Sequence, residues 1–368
     1  MGGGLYERDS TGTIAMIILA IETSCDETGA AVIENGQMIL SNVVATSSDM
    51  HAKTGGIIPE VAARQQVKSI MPVIEMAVQS AKCKVQNIDA LAVTVGPGLI
   101  GSLLVGVETA KTLARLWGKP IIPVNHMMGH IYANFIRELS STNFQFSNNR
   151  EPGFPLLALV VSGGHTDLVY MKGHGETKLV GTTRDDAAGE CFDKCARLLG
   201  LPYPGGPSIA AEASKFQMTN NKNQTLNLFP RPMIREKNYD FSFSGLKTAV
   251  QNRVKEQESG KVEKLDIGQL AAEVQEAICE VLVNKSIRAI EKYEPKSFLL
   301  SGGVAANKNL REKFADEFFS NLTGITLHVP EPKFCTDNAA MIGAAAYYIC
   351  KQVGWENVFV DPQLSTTD

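Results

Sequence analysis

Residues 156–171 read LLALVVSGGHTDLVYM, two apolar runs separated by a Gly-Gly turn. The first run, Leu156 to Ser162, predicts a buried strand, and the second, Asp167 to Met171, predicts a strand that pairs with it. Glycine permits the tight connection between them, so residues 163–166 predict a hairpin. A strand, a tight turn and a second strand are therefore expected to open the second half of the chain.

The first half of the chain opens in the same way. Ile17 to Thr23 predicts a buried strand, and two more, Gly29 to Ile33 and Met38 to Thr46, are joined by a turn at Asn35-Gly36. Strands are also predicted at 90–95, 121–124 and 297–300, and helices at 59–81, 101–116, 187–199, 243–254, 267–293, 307–319 and 337–350. The repeat indicates a duplicated α/β unit with a cleft between the two copies.

The chain has 368 residues, more than one ordinary domain core needs, so two domains are expected. Residues 141–154 are polar and rich in Ser, Asn and Pro, which favours a linker. We predict an N-terminal α/β lobe at 16–150, a C-terminal α/β lobe with helical insertions at 151–351, and a C-terminal tail at 352–368. Residues 1–15 contain neither an apolar signal core nor an Arg-rich presequence, and we interpret them as a disordered extension or an upstream start before Met16. The absent presequence favours a cytoplasmic protein.

The composition excludes several classes of protein. Hydrophobic residues are 44% and charged residues 20% of the chain, as in globular proteins with a sizeable core. The net charge of −4 argues against a generally basic surface, although a local basic stripe could still bind RNA. The seven cysteines have no paired spacing, which argues against a disulfide scaffold. No apolar run approaches the length of a membrane span, so no membrane association is expected.

Two of the six histidines, His126 and His130, are four residues apart and follow the apolar run 120–124. In a helix both imidazoles project from one face, which offers two nitrogen ligands to one metal ion. The carboxyl end of a strand is also where open α/β sheets bind their ligands. Asp337 opens the last predicted helix and either caps it or supplies a carboxylate to the same metal. From these residues alone, two capping or core histidines are the alternative.

Three polar turns carry further chemistry. Residues 22–28 place hydroxyls and carboxylates after the first strand, where they can bind phosphate or a metal, or simply form a polar strand exit. Ser-Gly-Gly occurs at 162–164 and again at 301–303, and such glycines let backbone N–H groups approach an anion. Neither the Walker pattern nor the three-glycine dinucleotide pattern is present. Together the turns predict a nucleotide cleft between two lobes, with a metal near the phosphates.

The order of these motifs resembles that of the bacterial TsaD family, the tRNA N6-adenosine threonylcarbamoyltransferases. The resemblance runs from about Met16 to Tyr348. The segments that carry it are IETSCDET at 21–28, GGIIPE at 55–60, GPGL at 96–99, HMMGH at 126–130, VSGGHT at 161–166, DAAGE at 186–190, FDK at 192–194, YPGGP at 203–207, FSFSGLK at 241–247, SGGVAAN at 301–307 and TDN at 336–338. It implies the two-lobed α/β fold shared by actin, Hsp70 and sugar kinases (ASKHA), with a nucleotide cleft between the lobes.

The resemblance also implies a reaction. The family transfers a threonylcarbamoyl group from threonylcarbamoyl-adenylate to N6 of adenosine 37 in tRNAs that read ANN codons, which forms t6A and releases AMP. By position, one divalent metal, Fe²⁺ or alternatively Zn²⁺, would be held by His126, His130 and Asp337. The adenylate would be bound by Val160, Val161, Ser162, Gly163, Gly164, Asp193, Gly206 and Asn307. Asp26 is then the candidate catalytic base or orienting residue, with Glu27 second.

The resemblance further implies partners besides tRNA. These are a paralogous TsaB-like subunit and a TsaE-like ATPase, or a second copy of the chain if it is of the mitochondrial type, in which case it would form a homodimer. For the tRNA we predict a basic surface on the second lobe, formed by Arg184, Arg197, Arg231, Arg235, Lys237 and Lys247. Ordinary solvated charges are the alternative for these residues.

Three other functional classes stay open. A small-molecule kinase of the same fold would not need a histidine pair beside the phosphates. A metallo-endopeptidase, an older label for this family, would need His-Glu-x-x-His, whereas Met127 follows His126 here. A binding module similar to actin or Hsp70 would bind nucleotide without metal ligands.

Overall fold

The structure is a computed structural model that describes residues 16–52, 55–137, 151–220 and 227–367. Two five-stranded mixed sheets form its frame. The predicted extension at 1–15 and residues 141–150 of the predicted linker lie outside the described residues, so the predicted lobe boundaries stay predictions.

The first sheet has the strand order β3-β2-β1-β4-β5. Its strands are β1 (Ile17–Glu22), β2 (Glu27–Glu34), β3 (Met38–Thr46), β4 (Ala90–Gly96) and β5 (Ile121–Asn125). β1 is antiparallel to β2 and parallel to β4, so it lies at the centre of the sheet. Asn35 and Gly36 both have positive φ angles, 52° and 67°, as an Asn-Gly hairpin requires. This hairpin prediction is confirmed.

The second sheet repeats this arrangement. It consists of β6 (Leu156–Val161), β7 (Thr166–Gly173), β8 (Glu176–Gly181), β9 (Ser297–Ser301) and β10 (Thr326–His328). Their order is β8-β7-β6-β9-β10, and β6 is antiparallel to β7 and parallel to β9, as β1 is to β2 and β4. The predicted duplication of an α/β unit is therefore confirmed. The hydrophobic pattern of the sequence did not predict β8 and β10, because β8 is a mostly exposed edge strand and β10 has only three residues.

Helices cover both sheets. They are α1 (Ser48–Ala52), α2 (Pro59–Ser80), α3 (Ile100–Trp117), α4 (His126–Tyr132), α5 (Ala188–Leu198), α6 (Gly205–Asn220), α7 (Ser244–Glu258), α8 (Ile267–Tyr293), α9 (Lys308–Ser320), α10 (Pro332–Cys335) and α11 (Ala339–Ile349). α6, which the sequence pattern did not predict, begins with Gly205-Gly206-Pro207, and proline is compatible with the first turn of a helix. None of the helices in the described ranges is long and apolar enough to cross a bilayer.

α4 and α11 share one hydrophobic core with both sheets. Side chains of β1 such as Ile18 and side chains of β6 such as Ala158 belong to the same buried cluster as Ile131 of α4 and Ile342 of α11. Because α4 follows β5 directly, this packing holds its first residues at the carboxyl edge of the first sheet.

The C-terminal segment, which gave little sequence signal, runs from the first sheet to the second. Val353 forms an antiparallel bridge with Ile121 at the edge of the first sheet. Further along, the Ser365 carbonyl accepts a hydrogen bond from the Asn125 side chain at 2.6 Å, and the Thr366 hydroxyl donates to Asp167 at 2.6 Å. The segment therefore links the start of α4 to strand β7.

Candidate metal centre and interlobe site

Two histidines and an aspartate converge at the start of α4. Asn125 caps this helix, since its side-chain oxygen accepts hydrogen bonds from the Met127 and Met128 N–H groups at 2.9 and 3.4 Å. The Nε2 atoms of His126 and His130 lie 3.5 and 3.3 Å from Asp337 Oδ1. The three ligand atoms lie within 4.8 Å of one another, as a shared metal ion requires.

Asp337 does not cap the last helix, so that interpretation is wrong. The helix begins at Ala339, and Asn338 is its N-cap, with Oδ1 accepting from Met341 N–H at 3.1 Å. The carboxylate of Asp337 is thereby left to face the histidines. Gly129 lets the two helices approach closely, because a Cβ there would lie 2.7 Å from Ile342 Cδ1.

His130 fits a metal ligand better than a core histidine. Both of its ring nitrogens are buried, and neither has a hydrogen-bond partner among the described residues. Its Nε2 faces Asp337 at 3.3 Å, but without the geometry of a hydrogen bond. A buried polar atom without a partner is costly, and a metal ion at this point would satisfy it. Two imidazole nitrogens and a carboxylate oxygen suit both iron and zinc.

The charges around the three residues also favour a bound cation. Burial alone would raise the pKa of Asp337, but His126 and His130 outweigh it and lower that pKa to about 2. Burial alone would lower the pKa of His126, but Asp337 and Glu22 raise it to about 9. Asp337 and Glu22 thus stabilise a positive charge at His126. A metal ion can supply this charge in place of the proton. Burial lowers the pKa of His130, which keeps its imidazole neutral and able to bind a metal.

Glu22, the last residue of β1, is a site residue that the sequence did not single out. It is 1% exposed, and its Oε2 lies 3.3 Å from His126 Nδ1. Thr94 donates to the same oxygen, and Ser24 N–H donates to the other at 2.5 Å. A carboxylate that accepts the Nδ1 proton of a histidine leaves Nε2 free to bind metal. Glu22 and the Ser24 hydroxyl, whose Oγ lies 3.1 Å from the same Nδ1, therefore orient His126 with Nε2 towards Asp337.

Asp26 and Glu27, the predicted catalytic pair, lie beside this centre. Asp26 is buried in the connection between β1 and β2, whereas Glu27 is the first residue of β2 and not part of the turn. Burial, together with the charges of Asp337 and Asp26, raises the pKa of Glu27 to about 10. This effect of neighbouring charges on the pKa is the one expected for a carboxyl group near two other carboxylates.

Tyr203 and three of the predicted ligand-binding glycines belong to the second lobe. Burial raises the pKa of the Tyr203 hydroxyl, and the charges of Asp193 and Asp26 raise it further. A Cβ at Gly163, Gly164 or Gly206 would meet no atom of the described residues within 4 Å. These three glycines therefore leave room for a ligand to approach the backbone.

The side chains of the other predicted ligand-binding residues are buried or form hydrogen bonds within the protein. Val160 and Val161 are fully buried in β6, so only their backbone could contact a ligand. Asn307 caps α9 by accepting from Leu310 N–H at 3.1 Å and donates to Gln275 at 2.9 Å. Asp193 Oδ1 accepts from Gly205 N–H at 2.6 Å.

Three of the six predicted RNA-binding cations have partners within the chain. Arg231 pairs with Glu280 at 2.8 Å, and Arg184 pairs with Asp240 at 2.9 Å. Arg197 donates to the Gly55 carbonyl at 2.5 Å, a contact between the second lobe and the segment that precedes α2. The two cations of the set that are exposed in the same loop are Arg235 and Lys237.

Comparison with known proteins supplies the family. Residues 38–344 match the family described as TsaD, tRNA N6-adenosine threonylcarbamoyltransferase. The chain belongs to this family. Relatives named tRNA N6-adenosine threonylcarbamoyltransferase include one from Staphylococcus aureus (strain bovine RF122 / ET3-1), 46% identical over 337 residues and 92% of each chain. Another, from Thermomicrobium roseum, is 46% identical over 355 residues, which are 92% of this chain and 93% of the relative.

Solved structures support the fold. T. kodakarensis HypF aligns with a TM-score of 0.57 at 13% identity, over 91% of this chain and 48% of its own. Full-length HypF in a phosphate- and nucleotide-bound form gives 0.56 at 10% identity, over 92% and 47%. The predicted two-lobed fold is confirmed. TsaD membership likewise confirms the prediction of a transferase that acts on tRNA and disfavours the kinase and peptidase alternatives.

Proposed function

We propose that this TsaD-family chain transfers the threonylcarbamoyl group of threonylcarbamoyl-adenylate to N6 of adenosine 37 in tRNAs that read ANN codons, which yields t6A and AMP. The observation that carries this proposal is the convergence of His126, His130 and Asp337 beside the loop that contains Asp26 and Glu27. A cation site and a carboxylate next to a Gly-lined cleft suit a donor whose leaving group is a phosphate.

The donor would lie mainly on the second lobe. The Ser162–Gly164 turn offers backbone N–H groups to its phosphate, together with the backbone of Val160 and Val161. Asp193, beside the open position at Gly206, would accept hydrogen bonds from the ribose hydroxyls. Asn307 would act through its cap, which fixes the N-terminus of α9 next to the second Ser-Gly-Gly turn.

His126, His130 and Asp337 would hold one divalent ion, which we propose is Fe²⁺, with Zn²⁺ as the alternative. When bound, such an ion supplies Lewis-acid stabilisation of negative charge on the donor's oxygens. Metal analysis of the protein purified without added metal tests its identity. His126→Ala with full metal content would remove His126 from the ligand set.

Asp26 would act as the base. The N6 nitrogen of adenosine attacks the carbamoyl carbon, a C–N bond forms, and the C–O bond to phosphate breaks so that AMP leaves with the electron pair. The N6 proton passes to the Asp26 carboxylate. The exocyclic amine is a weak nucleophile, so positioning and proton removal matter together. Glu27, whose pKa is raised to about 10, would hold its own proton and donate a hydrogen bond.

Nucleoside analysis of tRNA tests the reaction. The protein is incubated with tRNA, threonine, bicarbonate, ATP and an enzyme that makes the adenylate, with and without partner proteins. We expect t6A with the unaltered chain and at least a hundredfold less with Asp26→Ala. A matched control is Asp49→Ala, an aspartate in the first turn of α1. Normal t6A formation by Asp26→Ala would remove the role of Asp26, and no t6A under any combination would contradict the main proposal.

We propose that the cytoplasmic enzyme works with a TsaB-like paralogue and a TsaE-like ATPase, or as a homodimer if it is of the mitochondrial type. Large apolar side chains on α2 and α3 support a protein partner, since Val67, Met71, Ile100 and Leu104 are 43–64% exposed. The mass measured by light scattering, for the chain alone and with a TsaB-like subunit, distinguishes a homodimer from a complex with that subunit. Val67→Glu is expected to abolish whichever complex forms, and an unchanged mass would contradict this surface.

A further inference from the structure

Gln66 of α2 reaches into the loop that carries the proposed catalytic pair. Its side chain is 1% exposed, and its amide Nε2 donates to the carbonyls of Cys25 at 3.0 Å and Glu27 at 2.9 Å. The Thr23 carbonyl lies 3.5 Å from the same nitrogen. The amide is therefore surrounded by backbone acceptors from both sides of Asp26.

Every backbone carbonyl from residue 23 to residue 27 contacts a donor that lies outside this loop. Leu99 N–H donates to Ser24 O at 2.8 Å, and the Ser47 hydroxyl donates to Asp26 O at 3.0 Å. Gln66 contacts the other three carbonyls. Buried carbonyls need partners, so these bonds define where the loop backbone lies.

We infer that Gln66 is a positioning residue, which holds the Asp26 carboxylate in register with the metal centre. This inference rests on the proposed role of Asp26. The amide orientation is unambiguous, because the opposite orientation would place Oε1 against three carbonyl oxygens. Oε1 has no hydrogen-bond partner among the described residues, so only the donor side of this amide is used. Without the Gln66 N–H donors, the loop carbonyls would lose hydrogen bonds, the loop backbone would rearrange, and Asp26 would be displaced.

Methionine tests the donor most directly. Gln66→Met keeps the length and volume of the side chain but removes both N–H groups. A displacement of about 1 Å at a catalytic group can cost on the order of a hundredfold in rate, so we expect kcat for t6A formation to fall by about that factor. KM for tRNA and the metal content should stay within about twofold, because Gln66 is buried and is not one of the three proposed metal ligands. The matched control is Gln65→Met, the neighbouring glutamine on the same helix, which should keep its kcat.

Rescue separates positioning from packing. Gln66→His supplies one N–H donor at a similar reach, and we expect it to recover at least tenfold of the activity that Gln66→Met loses. If Gln66→Met does not fold, Ser47→Ala removes a side-chain donor to the same loop from the other side and should also lower kcat without changing metal content.

Two results would overturn the inference. One is a Gln66→Met enzyme with a kcat within about twofold of the unaltered enzyme, and the other is a Gln66→His enzyme no better than Gln66→Met. Failure of the proposed function looks different, because the unaltered chain would then make no t6A. If the unaltered enzyme is active but Asp26→Ala is equally active, the base assignment fails, and the inference that Gln66 positions a catalytic carboxylate fails with it.

Discussion

Replacing Glu22 with glutamine is expected to weaken metal binding without removing a metal ligand. The carboxylate serves donors on both oxygens, with Ser24 N–H at 2.5 Å from Oε1 and His126 Nδ1 at 3.3 Å from Oε2, where Thr94 also donates. A glutamine side chain has the same shape but only one acceptor oxygen. In either orientation, one of these donors meets an NH₂ group.

Both orientations disturb the centre. If the NH₂ group faces Ser24, two donors oppose each other and the loop before Asp26 is displaced. If it faces His126, it donates to Nδ1, the imidazole proton moves to Nε2, and Nε2 cannot bind a metal. Loss of an outer carboxylate partner typically costs 10–100-fold in metal affinity, which is about 1.4–2.8 kcal/mol.

Zn²⁺ competition against a chromophoric chelator measures this effect directly. We expect the Kd of Glu22→Gln to rise by about 10–100-fold, with thermal stability of the metal-free protein changed much less. Glu34→Gln is the matched control, because Glu34 ends β2 at the opposite end of the same strand pair. A Kd for Glu22→Gln within about twofold of the unaltered protein would refute the tautomer reasoning.

Three further predictions concern the centre and the second lobe. His130→Ala should reduce bound metal from one per chain to near zero by elemental analysis, and retained metal would exclude His130 as a ligand. Gly129→Val should separate α4 from α11 and thereby lower the free energy of unfolding in urea by about 1–3 kcal/mol. It should also lower the affinity for Zn²⁺. Intact affinity would mean that Asp337 is positioned independently of α11. Hydrogen bonds from Ser242, Phe243 and Ser244 lower the pKa of Asp185 below its ordinary value of 3.8, although burial opposes them. The ionised Asp185 carboxylate therefore stabilises the fold fully above the unfolded-state pKa, and this stabilisation is lost as the pH falls through the folded-state pKa. Asp185→Asn should cost about 1 kcal/mol at pH 7 and nothing in strong acid, and a pH-independent difference would contradict this.

The sequence predicted the regular elements best where local signals were strong. α8 occupies the predicted residues 267–293, and the Asn35-Gly36 hairpin has the expected dihedral angles. α6 was missed because its first turn is rich in glycine and proline, although these residues also fit the start of a helix. β8 was missed because an exposed edge strand has no continuous apolar run.

The site was predictable only as far as residue types allow. The histidine spacing pointed to a metal, but Asp337 and Asn338 are both good N-caps, and tertiary packing decides that Asn338 takes this role. Glu22 could not be assigned, because Thr94 and His126 lie 72 and 104 residues away in the chain. Likewise, the contacts of Gln66 with loop carbonyls depend on how α2 packs on the first sheet and have no signature in sequence.

The packing of α11 on the first sheet has a consequence for biosynthesis. This helix covers β1, yet the ribosome makes it some 300 residues later. At roughly 5–20 residues per second, the inner face of the first sheet waits on the order of half a minute for its covering helix. We therefore expect nascent chains stalled before residue 339 to be protease-sensitive in β1 and to bind chaperones, and the metal centre, which needs Asp337, to form only at the end of translation.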